Sequence, residues 1–467
     1  MALMAPRAWG APDAVFAALK QAGIPTRSVA FMAQPVSEAA PALYEFNQEQ
    51  PFTLASTTKI ATSLAALDLL GSKFRWRTRA YLGGGLHDGT LSGDLLLVGG
   101  GNARLSANDL VAWFKTIQRK GLRAIDGHIV INNGAFQMKA SDYQGTPVPT
   151  ADHPHHVYPD AFMVDEGVIT VELIPKPSGL ALSYAPRLEG VGISNELHIS
   201  ARKCGTLHEP VRAVFDESVD PPRLRVSGEW APACGPVRLV VGTLPDSRFT
   251  TLAVEAAWRD AGGVLAGEAV RVPADHALST MPRVAKPFSV QESPSLSEVV
   301  TDMNKWSNNL IARNLMLSLS TGFPARPATL PDARKRMSVW LAQQGLTKDD
   351  LFVGNGSGLA HEERGRARAL VSLLCNAWKG PNAAAFLESL PVAGEDGTMG
   401  ARLKDAVAQG RRAYLKTGTL NDTRALAGYV QGRSGRMYAV AAFINDPKAG
   451  KGRPALDLFI EWVMEKG

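Results

Sequence analysis

The stretch LASTTKIATSLAAL, residues 54–67, places Ser56 and Lys59 three residues apart at the head of a run of small and apolar residues. If a helix begins at Ser56, the two side chains lie on one face, one turn apart, and the lysine amine reaches the serine hydroxyl. A serine needs a base beside it to become a nucleophile, and a lysine can be that base once burial or nearby positive charge lowers its pKa. Taken alone, the pattern favours an ordinary helix start with Ser56 as the N-cap.

Two further stretches change this interpretation. KWSNNLIA (305–312) contains Ser-Asn-Asn at 307–309 in a helical context, and YLKTGTLND (414–422) contains Lys-Thr-Gly-Thr at 416–419 in a strand-like context. Ser-x-x-Lys, Ser-x-Asn and Lys-Thr-Gly together form the motif set of serine β-lactamases and penicillin-binding proteins. The three motifs, in the right order and context, predict an enzyme that forms an acyl intermediate on Ser56.

The spacing of the motifs distinguishes members of this superfamily. Ser56 and Ser307 are 251 residues apart, whereas Ser307 and Lys416 are 109 residues apart. A compact β-lactamase has no room for the first gap. The chain resembles the class C low-molecular-mass penicillin-binding proteins, the D-alanyl-D-alanine carboxypeptidase/endopeptidase family of the penicillin-binding protein 4 type, in which extra domains are inserted there. Three further stretches resemble this family: GGGNARLS (99–106), VGNGSGLA (353–360) and EDGTMGARLK (395–404).

The resemblance implies an α/β (α+β) fold. The expected catalytic part is a transpeptidase domain like that of serine β-lactamases and penicillin-binding proteins, with an antiparallel sheet flanked by helices and interrupted by inserted β-rich domains. The pattern of the chain agrees, because helical patterns near both ends flank short β-like runs between turns. We expect a split catalytic domain (1–77 and 283–467), an inserted second domain (78–150 and 220–282) and a small third domain (151–219) nested in the second.

The resemblance also implies the catalytic roles. Ser56 would attack the carbonyl between two D-alanines of a peptidoglycan stem peptide, and Lys59 would accept its proton. Ser307 would relay a proton to the leaving amine, with Lys416 behind it. Asn309 would bind the substrate amide and hold Lys59. The same serine would be acylated by β-lactam antibiotics, which would thereby inhibit the enzyme.

Substrate-binding roles are implied in the same way. The hydroxyls of Thr417 and Thr419 would hold the terminal carboxylate, and Gly418 would leave space for the substrate along the strand edge. The backbone N–H groups of Ser56 and Thr419 would form the oxyanion hole. Relatives often have Ser-Arg after Gly-Ser-Gly-Leu, where this chain has Ala-His. His361 is therefore the candidate basic group for a diaminopimelate carboxylate.

Two further departures from the family concern charge. Relatives commonly have an acid near position 313, where this chain has Arg313. The inserted domain of the family also supplies an acid toward the substrate amino group, and Asp152, Asp160 and Asp165 are the alternatives here. For any single one of these three, an ordinary solvated loop position is the more common interpretation.

Composition excludes several other classes of protein. The 467 residues are 45% hydrophobic and 20% charged, which is typical of a globular chain with two or three domains. No apolar run is long enough to span a membrane, so we expect at most peripheral membrane contact. The net charge of +6 is spread along the chain, and ARKRM (333–337) suits a solvated helix face better than a nucleic-acid patch. No spacing predicts a metal site or a cofactor, and HPHHVYP (153–159) indicates an irregular loop.

The N-terminus and the cysteines bear on location. The first residues do not form a signal peptide, so the chain is cytoplasmic or begins after a cleaved one. The resemblance implies the periplasm. Cys204 and Cys234 either form a disulfide or remain two thiols, and the resemblance favours the disulfide. Cys375 lies in a helical pattern and is expected in the core; oligomeric state and the balance between carboxypeptidase and endopeptidase activity stay open.

The sequence leaves two alternative functions. An esterase or amidase of the same superfamily would keep the Ser-Lys and Lys-Thr-Gly motifs, but the long insertion and the EDGTMGARL stretch argue against it. A non-catalytic peptidoglycan-binding protein would be a decayed enzyme. The presence of all five polar motif residues argues against decay: Ser56, Lys59, Ser307, Asn309 and Lys416.

Overall fold

The chain divides into two units, each assembled from separate stretches of sequence. The structure, a computed structural model, describes residues 12–37, 40–177, 179–244, 247–272, 286–360 and 362–467. The first unit comprises Met1–Phe74, Met138–Pro147 and Pro294–Gly467, and the second comprises Arg75–Gln137 and Val148–Ser293. Residues 138–147, which the sequence assigned to the inserted second domain, group with the first unit. The nested third domain stays a prediction.

The helices and strands fall in blocks that belong to one unit or the other. The helices are α1 Asp13–Ala22, α2 Lys59–Leu70, α3 Ala107–Arg119, α4 Phe249–Asp260, α5 Leu296–Trp306, α6 Asn309–Ser318, α7 Leu330–Gln343, α8 Ala367–Lys379, α9 Ala383–Ser389, α10 Lys404–Ala408 and α11 Arg453–Lys466. The strands are β1 Val29–Pro35, β2 Tyr44–Phe46, β3 Pro51–Thr53, β4 Arg77–Leu82, β5 Gly85–His87, β6 Thr90–Ser92, β7 Leu95–Val98, β8 Ala124–Ile125, β9 Ile129–Asn132, β10 Phe136–Gln137, β11 Val168–Lys176, β12 Gly179–Ala185, β13 Gly192–Ile199, β14 Arg212–Asp216, β15 Arg223–Trp230, β16 Val237–Gly242, β17 Val264–Leu265, β18 Ala269–Arg271, β19 Ser289–Glu292, β20 Ala328–Thr329, β21 Leu351–Phe352, β22 Arg364–Arg366, β23 Ala413–Leu420, β24 Thr423–Gln431 and β25 Met437–Asn445. Among the described residues, no helix has the length and apolar character needed to cross a membrane.

The first unit is built on an antiparallel sheet with helices on both faces. Its strand order among the described residues is β2-β1-β25-β24-β23, so the first strand of the chain pairs with the last. Successive side chains of a strand point to opposite faces. Val29 and Phe31 therefore face α1 and α11, where the rings of Phe31 and Phe459 lie 4.9 Å apart. Helix α8 packs on the opposite face, against β25 and β1.

Helix α2 is the central helix of this unit. Every residue from Lys59 to Leu67 is buried, and the helix contacts α5, α6 and α8. A helix that is apolar on all sides has to be surrounded by protein, which is the position that the Ala- and Leu-rich sequence predicts. The residues just before this helix are thereby held in a fixed place.

The second unit is rich in β-structure and has its own apolar core. Its helices α3 and α4 pack together through Phe114 and Trp258, whose ring centroids lie 5.4 Å apart. Cys204 and Cys234 form a disulfide in this unit with a Cα–Cα distance of 5.0 Å. The structure therefore confirms the pairing that the resemblance favoured. Cys375 is a free, partly buried thiol on α8 of the first unit.

Candidate active site

Ser56 lies in a tight 3₁₀ turn, Ala55–Thr58, that leads directly into α2. The α-helix itself begins at Lys59, and Ser56 does not act as its N-cap, the role that its own motif favoured when taken alone. Because residues i and i+3 eclipse in a 3₁₀ turn, the Ser56 and Lys59 side chains line up directly. Ala55 adopts a left-handed φ of +46°, a strained conformation that its fully buried surroundings maintain.

The amine of Lys59 is fully buried and has three hydrogen-bonding partners. Its Nζ lies 2.9 Å from Ser56 Oγ, 2.6 Å from Asn309 Oδ1 and 2.5 Å from the Ser357 carbonyl oxygen. A neutral amine has two N–H groups and one lone pair. The amide and carbonyl oxygens can only accept, so they take the two N–H groups, and the lone pair is left for the O–H of Ser56.

The surroundings of Lys59 favour this neutral form. Burial is the largest cause and lowers the pKa of the amine well below its usual range. The charge of Lys416 lowers this pKa further, the Glu363 carboxylate acts in the opposite direction, and Arg313 adds a smaller lowering. A general base works best when its pKa is close to the operating pH, so these groups suit Lys59 to that role.

Ser307 lies at the junction of two helices. It follows the last residue of α5 in a left-handed conformation with φ +59°, and the next residue, Asn308, caps α6 by accepting the Ile311 N–H at 2.9 Å. The left-handed residue reverses the chain between the helices. This turn presents the Ser307 hydroxyl to Lys416, whose Nζ donates to Ser307 Oγ at 2.8 Å.

Lys416 lies on β23 and is also fully buried. Its Nζ donates a second hydrogen bond to the Thr417 carbonyl oxygen at 2.9 Å. Burial lowers the pKa of Lys416 to about 7. The protonated and neutral forms therefore coexist near neutral pH, which allows this lysine to hold or release a proton beside Ser307.

Strand β23 forms one edge of the sheet and carries the Lys-Thr-Gly-Thr motif. A Cβ at Gly418 would lie 2.9 Å from the Leu54 carbonyl oxygen and 3.2 Å from Ala55 Cβ. Glycine at 418 therefore lets the strand approach the turn that carries the nucleophile, a reason that the sequence alone did not reveal. Thr419, the next residue, is exposed.

Thr398 is a neighbour of the motif that the sequence analysis did not single out. Its hydroxyl accepts a hydrogen bond from Thr417 Oγ1 at 2.9 Å. The loop that carries Thr398 is anchored by Lys305, the penultimate residue of α5, which pairs with Asp396 at 2.6 Å. The stretch EDGTMG thus places a second threonine beside Thr417.

Glu363 is a second residue that the sequence analysis missed. It is fully buried, and its carboxylate accepts backbone N–H groups from the segment 354–358, which contains Ser357. It lies in the charged stretch HEER (361–364), whose composition is typical of a solvated loop. A short Gly-rich segment before an acid is the one signal that could have pointed to it, since glycine N–H groups often bind an oxyanion.

The profile of the D-Ala-D-Ala carboxypeptidase 3 (S13) family matches residues 12–462. The chain belongs to this family. As an S13 member it is a D-alanyl-D-alanine carboxypeptidase, a hydrolase.

Relatives cover most of this S13 carboxypeptidase. It is 22% identical to the D-alanyl-D-alanine carboxypeptidase DacB of Haemophilus influenzae, over 91% of this chain and 86% of that protein. It is 27% identical to the D-alanyl-D-alanine carboxypeptidase of Actinomadura sp. strain R39, over 87% of this chain and 76% of that one. The crystal structure of Haemophilus penicillin binding protein 4 (dacB) superposes with a TM-score of 0.76 at 20% identity, covering 97% and 99% of the two chains. A second structure of that protein, complexed with a β-lactam, gives 0.72 at 19% identity and covers 97% and 98%. The fold is therefore that of penicillin binding protein 4.

The remaining residues predicted for this S13 enzyme are His361 and three candidate acids. His361 lies outside the described residues. The three candidate acids all belong to the second unit. Asp160 accepts hydrogen bonds from Arg271 at 2.8 Å and from the Phe162 N–H at 2.7 Å, and Asp165 accepts the Ala107 N–H at the start of α3 at 2.9 Å. These hydrogen bonds hold Asp160 and Asp165 against neighbouring segments of the second unit. The Asp152 side chain, in contrast, is exposed.

Proposed function

We propose that this S13 carboxypeptidase hydrolyses the bond between the two terminal D-alanines of peptidoglycan stem peptides through an acyl-enzyme on Ser56. The observation that carries the proposal is the hydrogen bonding of the buried Lys59 amine. Asn309 Oδ1 and the Ser357 carbonyl cannot donate a proton, so Ser56 is the one partner of the three that can transfer a proton to this amine. A serine beside a neutral, buried amine is an activated nucleophile.

Acylation begins when Ser56 Oγ attacks the carbonyl carbon of the penultimate D-alanine. Its proton moves to Lys59 Nζ as the new C–O bond forms. The backbone N–H groups of Ser56 and Thr419 stabilise the oxyanion of the tetrahedral intermediate. The C–N bond then breaks, and the leaving amine takes a proton from Ser307, which Lys416 replenishes along its 2.8 Å hydrogen bond.

Deacylation uses the same groups with water in place of the serine. After acylation, Lys59 holds the proton from Ser56, and the Ser307–Lys416 pair lacks the proton that it gave to the leaving amine. A water molecule therefore gives a proton to the Ser307–Lys416 pair and attacks the acyl carbon. The bond between the acyl carbon and Ser56 Oγ breaks, and Lys59 returns its proton to Ser56, which restores both lysines to their starting states. The acid of acylation is thus the base of deacylation, and the base of acylation is its acid.

Substrate grip comes from the edge of β23. The hydroxyls of Thr417 and Thr419 hold the terminal carboxylate, and Thr398 orients Thr417 through their 2.9 Å hydrogen bond. Asn309 binds the substrate amide, and His361 is the candidate basic group for the stem-peptide side chain. A β-lactam presents an amide carbonyl and a carboxylate in a similar arrangement, so it acylates the same serine. The Haemophilus relative in complex with a β-lactam supports this assignment.

The proposed substrate also implies a location. Peptidoglycan lies outside the cytoplasmic membrane, so the enzyme acts in the periplasm. The disulfide between Cys204 and Cys234 supports this assignment, because such bonds persist in oxidising compartments.

The direct test is intact-protein mass spectrometry after brief exposure to benzylpenicillin, with Ser56→Ala as the matched variant. We expect one covalent adduct per chain in the wild type and none in the variant. Release of D-alanine from an acylated tripeptide that ends in D-Ala-D-Ala then identifies the reaction. A folded wild type with neither adduct nor D-alanine release would refute the proposal and favour a peptidoglycan-binding protein without activity.

A further inference from the structure

Glu363 is a buried carboxylate bound almost entirely by backbone. Its Oε1 accepts the N–H groups of Gly354 at 3.0 Å, Asn355 at 2.8 Å and Gly356 at 2.8 Å, and its Oε2 accepts that of Gly358 at 2.6 Å. The side chain is fully buried. Burial raises the pKa of this carboxyl, whereas the hydrogen bonds from the backbone N–H groups lower it and favour the charged form. Four donors from five consecutive residues thus offset part of the cost of burying the charge. The segment 354–358 is therefore folded around this one side chain.

This segment contacts the catalytic helix at Lys59 and one turn further on. The Ser357 carbonyl oxygen accepts from Lys59 Nζ at 2.5 Å. The Gly356 carbonyl oxygen accepts from Thr62 Oγ1 at 2.8 Å, three residues further along α2. The Ser357 carbonyl shares its peptide unit with the Gly358 N–H, which donates to Glu363. The Gly356 carbonyl belongs to the residue whose own N–H donates to Glu363. The carboxylate on one side of the segment thus fixes where the carbonyl oxygens lie on the other.

The same segment also lies against the nucleophile. Gly358 has φ +84°, and a Cβ there would clash with the Ala55 carbonyl, immediately before Ser56. Glu363 itself directly precedes β22, which pairs antiparallel with β3. Strand β3 ends at Thr53, three residues before Ser56. Glu363 is therefore connected to the Ser56 turn through a glycine contact and through a strand pair.

We propose that Glu363 is a positioning residue for Lys59: by folding the segment 354–358 it holds the Ser357 carbonyl against one N–H of the amine and directs the lone pair at Ser56. The inference rests on the proposed role of Lys59 as the base. Without the Ser357 acceptor, the amine could rotate and turn an N–H toward Ser56. The serine would then have no lone pair to receive its proton.

The negative charge of Glu363 should affect the pH dependence of acylation, which a residue that only packs a loop would leave unchanged. The charged groups that bear on Lys59 are Lys416 from β23, Arg313 from α6 and Glu363 from the turn before β22. Glu363 is the one negative charge among these three, and it raises the Lys59 pKa against the effect of burial. Acylation needs the neutral amine, so its rate falls as the pH drops through that pKa. Removal of the negative charge should move this acid limb to lower pH.

The test is the rate constant of acylation by benzylpenicillin, followed by intact mass in single turnover across acidic and neutral pH. Glu363→Gln keeps the shape but loses the charge and places an N–H donor opposite the Gly358 N–H. We expect the plateau rate constant to fall roughly 10- to 100-fold, as for a small misplacement of a reacting group. We also expect the acid limb to lie at lower pH than in the wild type.

Glu363→Asp separates charge from reach. The shorter side chain keeps the negative charge but cannot reach all four N–H groups, so the plateau should fall while the acid limb stays at its wild-type position. Asp350→Asn is the control. Asp350 accepts the Thr347 N–H at 3.0 Å and pairs with Arg368 at 2.9 Å in the same unit, so its variant should melt earlier with an unmoved acid limb.

Each outcome decides one point. A folded Glu363→Gln protein with the wild-type acid limb and plateau would overturn the proposal and leave Glu363 a packing residue. If Glu363→Gln does not fold, Glu363→Asp decides, because a wild-type plateau in that variant also overturns it. Absence of any Ser56 adduct in the wild type would instead refute the proposed function itself.

Discussion

Lys416 Nζ donates a hydrogen bond to Ser307 Oγ at 2.8 Å across 109 residues of sequence, and both groups belong to the same unit. The hydrogen bond joins a lysine on β23 to a serine between α5 and α6. Because burial lowers the Lys416 pKa to about 7, the proton that this pair holds is available for transfer near neutral pH. The pair therefore fits the acid that protonates the leaving amine.

This coupling predicts an alkaline limit to activity. If protonated Lys416 supplies the proton, kcat/KM for D-alanine release should fall as the pH rises through the Lys416 pKa of about 7. Lys416→Arg stays protonated, so a folded variant should lose this limb even if its maximal rate is lower. A pH profile of both proteins makes the comparison. If the variant keeps a limb near that pH, the titrating acid is a different group.

The second prediction concerns the base. Lys59→Met fills a similar volume without a basic nitrogen, and Lys59→Arg carries a permanent positive charge and cannot deprotonate. Both should acylate roughly 10²- to 10⁴-fold more slowly than the wild type, the usual contribution of a general base. The time course of adduct formation with benzylpenicillin measures the rates, and circular dichroism checks folding. Either variant acylating at the wild-type rate would show that Lys59 is not the base.

The sequence led to the polar groups of the site but not to their backbone partners. Ser-x-x-Lys and Ser-x-Asn are local patterns, and they singled out Lys59 and Asn309. In the structure, Lys59 Nζ lies 2.6 Å from Asn309 Oδ1. The acceptor at Ser357 is a carbonyl 298 residues away from Lys59, and every residue has a carbonyl. Only the tertiary path of the segment 354–358, set by Glu363, selects that one.

For the fold as well, the sequence indicated individual helices and strands but not which distant strands pair. Local composition indicated a helix in the apolar run after Ser56 and a strand around Lys416, because such runs have recognisable residue preferences. The pairing of β1 with β25, at opposite ends of the chain, depends on partner choice, which no local period encodes. The sequence did not distinguish the 3₁₀ turn before α2 from the first turn of an α-helix, because both place residues i and i+3 on one face.

The third prediction concerns the contact between β23 and the nucleophile turn. Gly418→Ala would place a methyl group 2.9 Å from the Leu54 carbonyl oxygen, so the turn or the strand has to move. We expect a loss of about 1–3 kcal/mol in the free energy of unfolding, as in other overpacked sites. Acylation should slow as well, because Ser56 is two residues from Leu54.

Gly192→Ala is the matched control for this variant. Gly192 also lies in a strand, but a Cβ there would meet nothing within 4 Å. Its free energy of unfolding should change by less than about 0.5 kcal/mol. Urea denaturation and the benzylpenicillin time course are measured on both variants. Equal behaviour of the two would mean that the close approach at Gly418 does not constrain the nucleophile.

The last prediction concerns the disulfide of the second unit. Denatured, unreduced protein should contain one titratable thiol, that of Cys375, and reduction should raise the number to three. Cys375→Ser should then show none before reduction, which assigns the single thiol. Three thiols in unreduced wild type would reject the bridge.

Cys204→Ser opens a loop closed by residues 30 apart and should lower the free energy of unfolding of the second unit by roughly 3–4 kcal/mol. Because Ser56 and Lys59 belong to the first unit, folded Cys204→Ser protein should still be acylated at the wild-type rate, and a slower rate would show that the disulfide supports the active site.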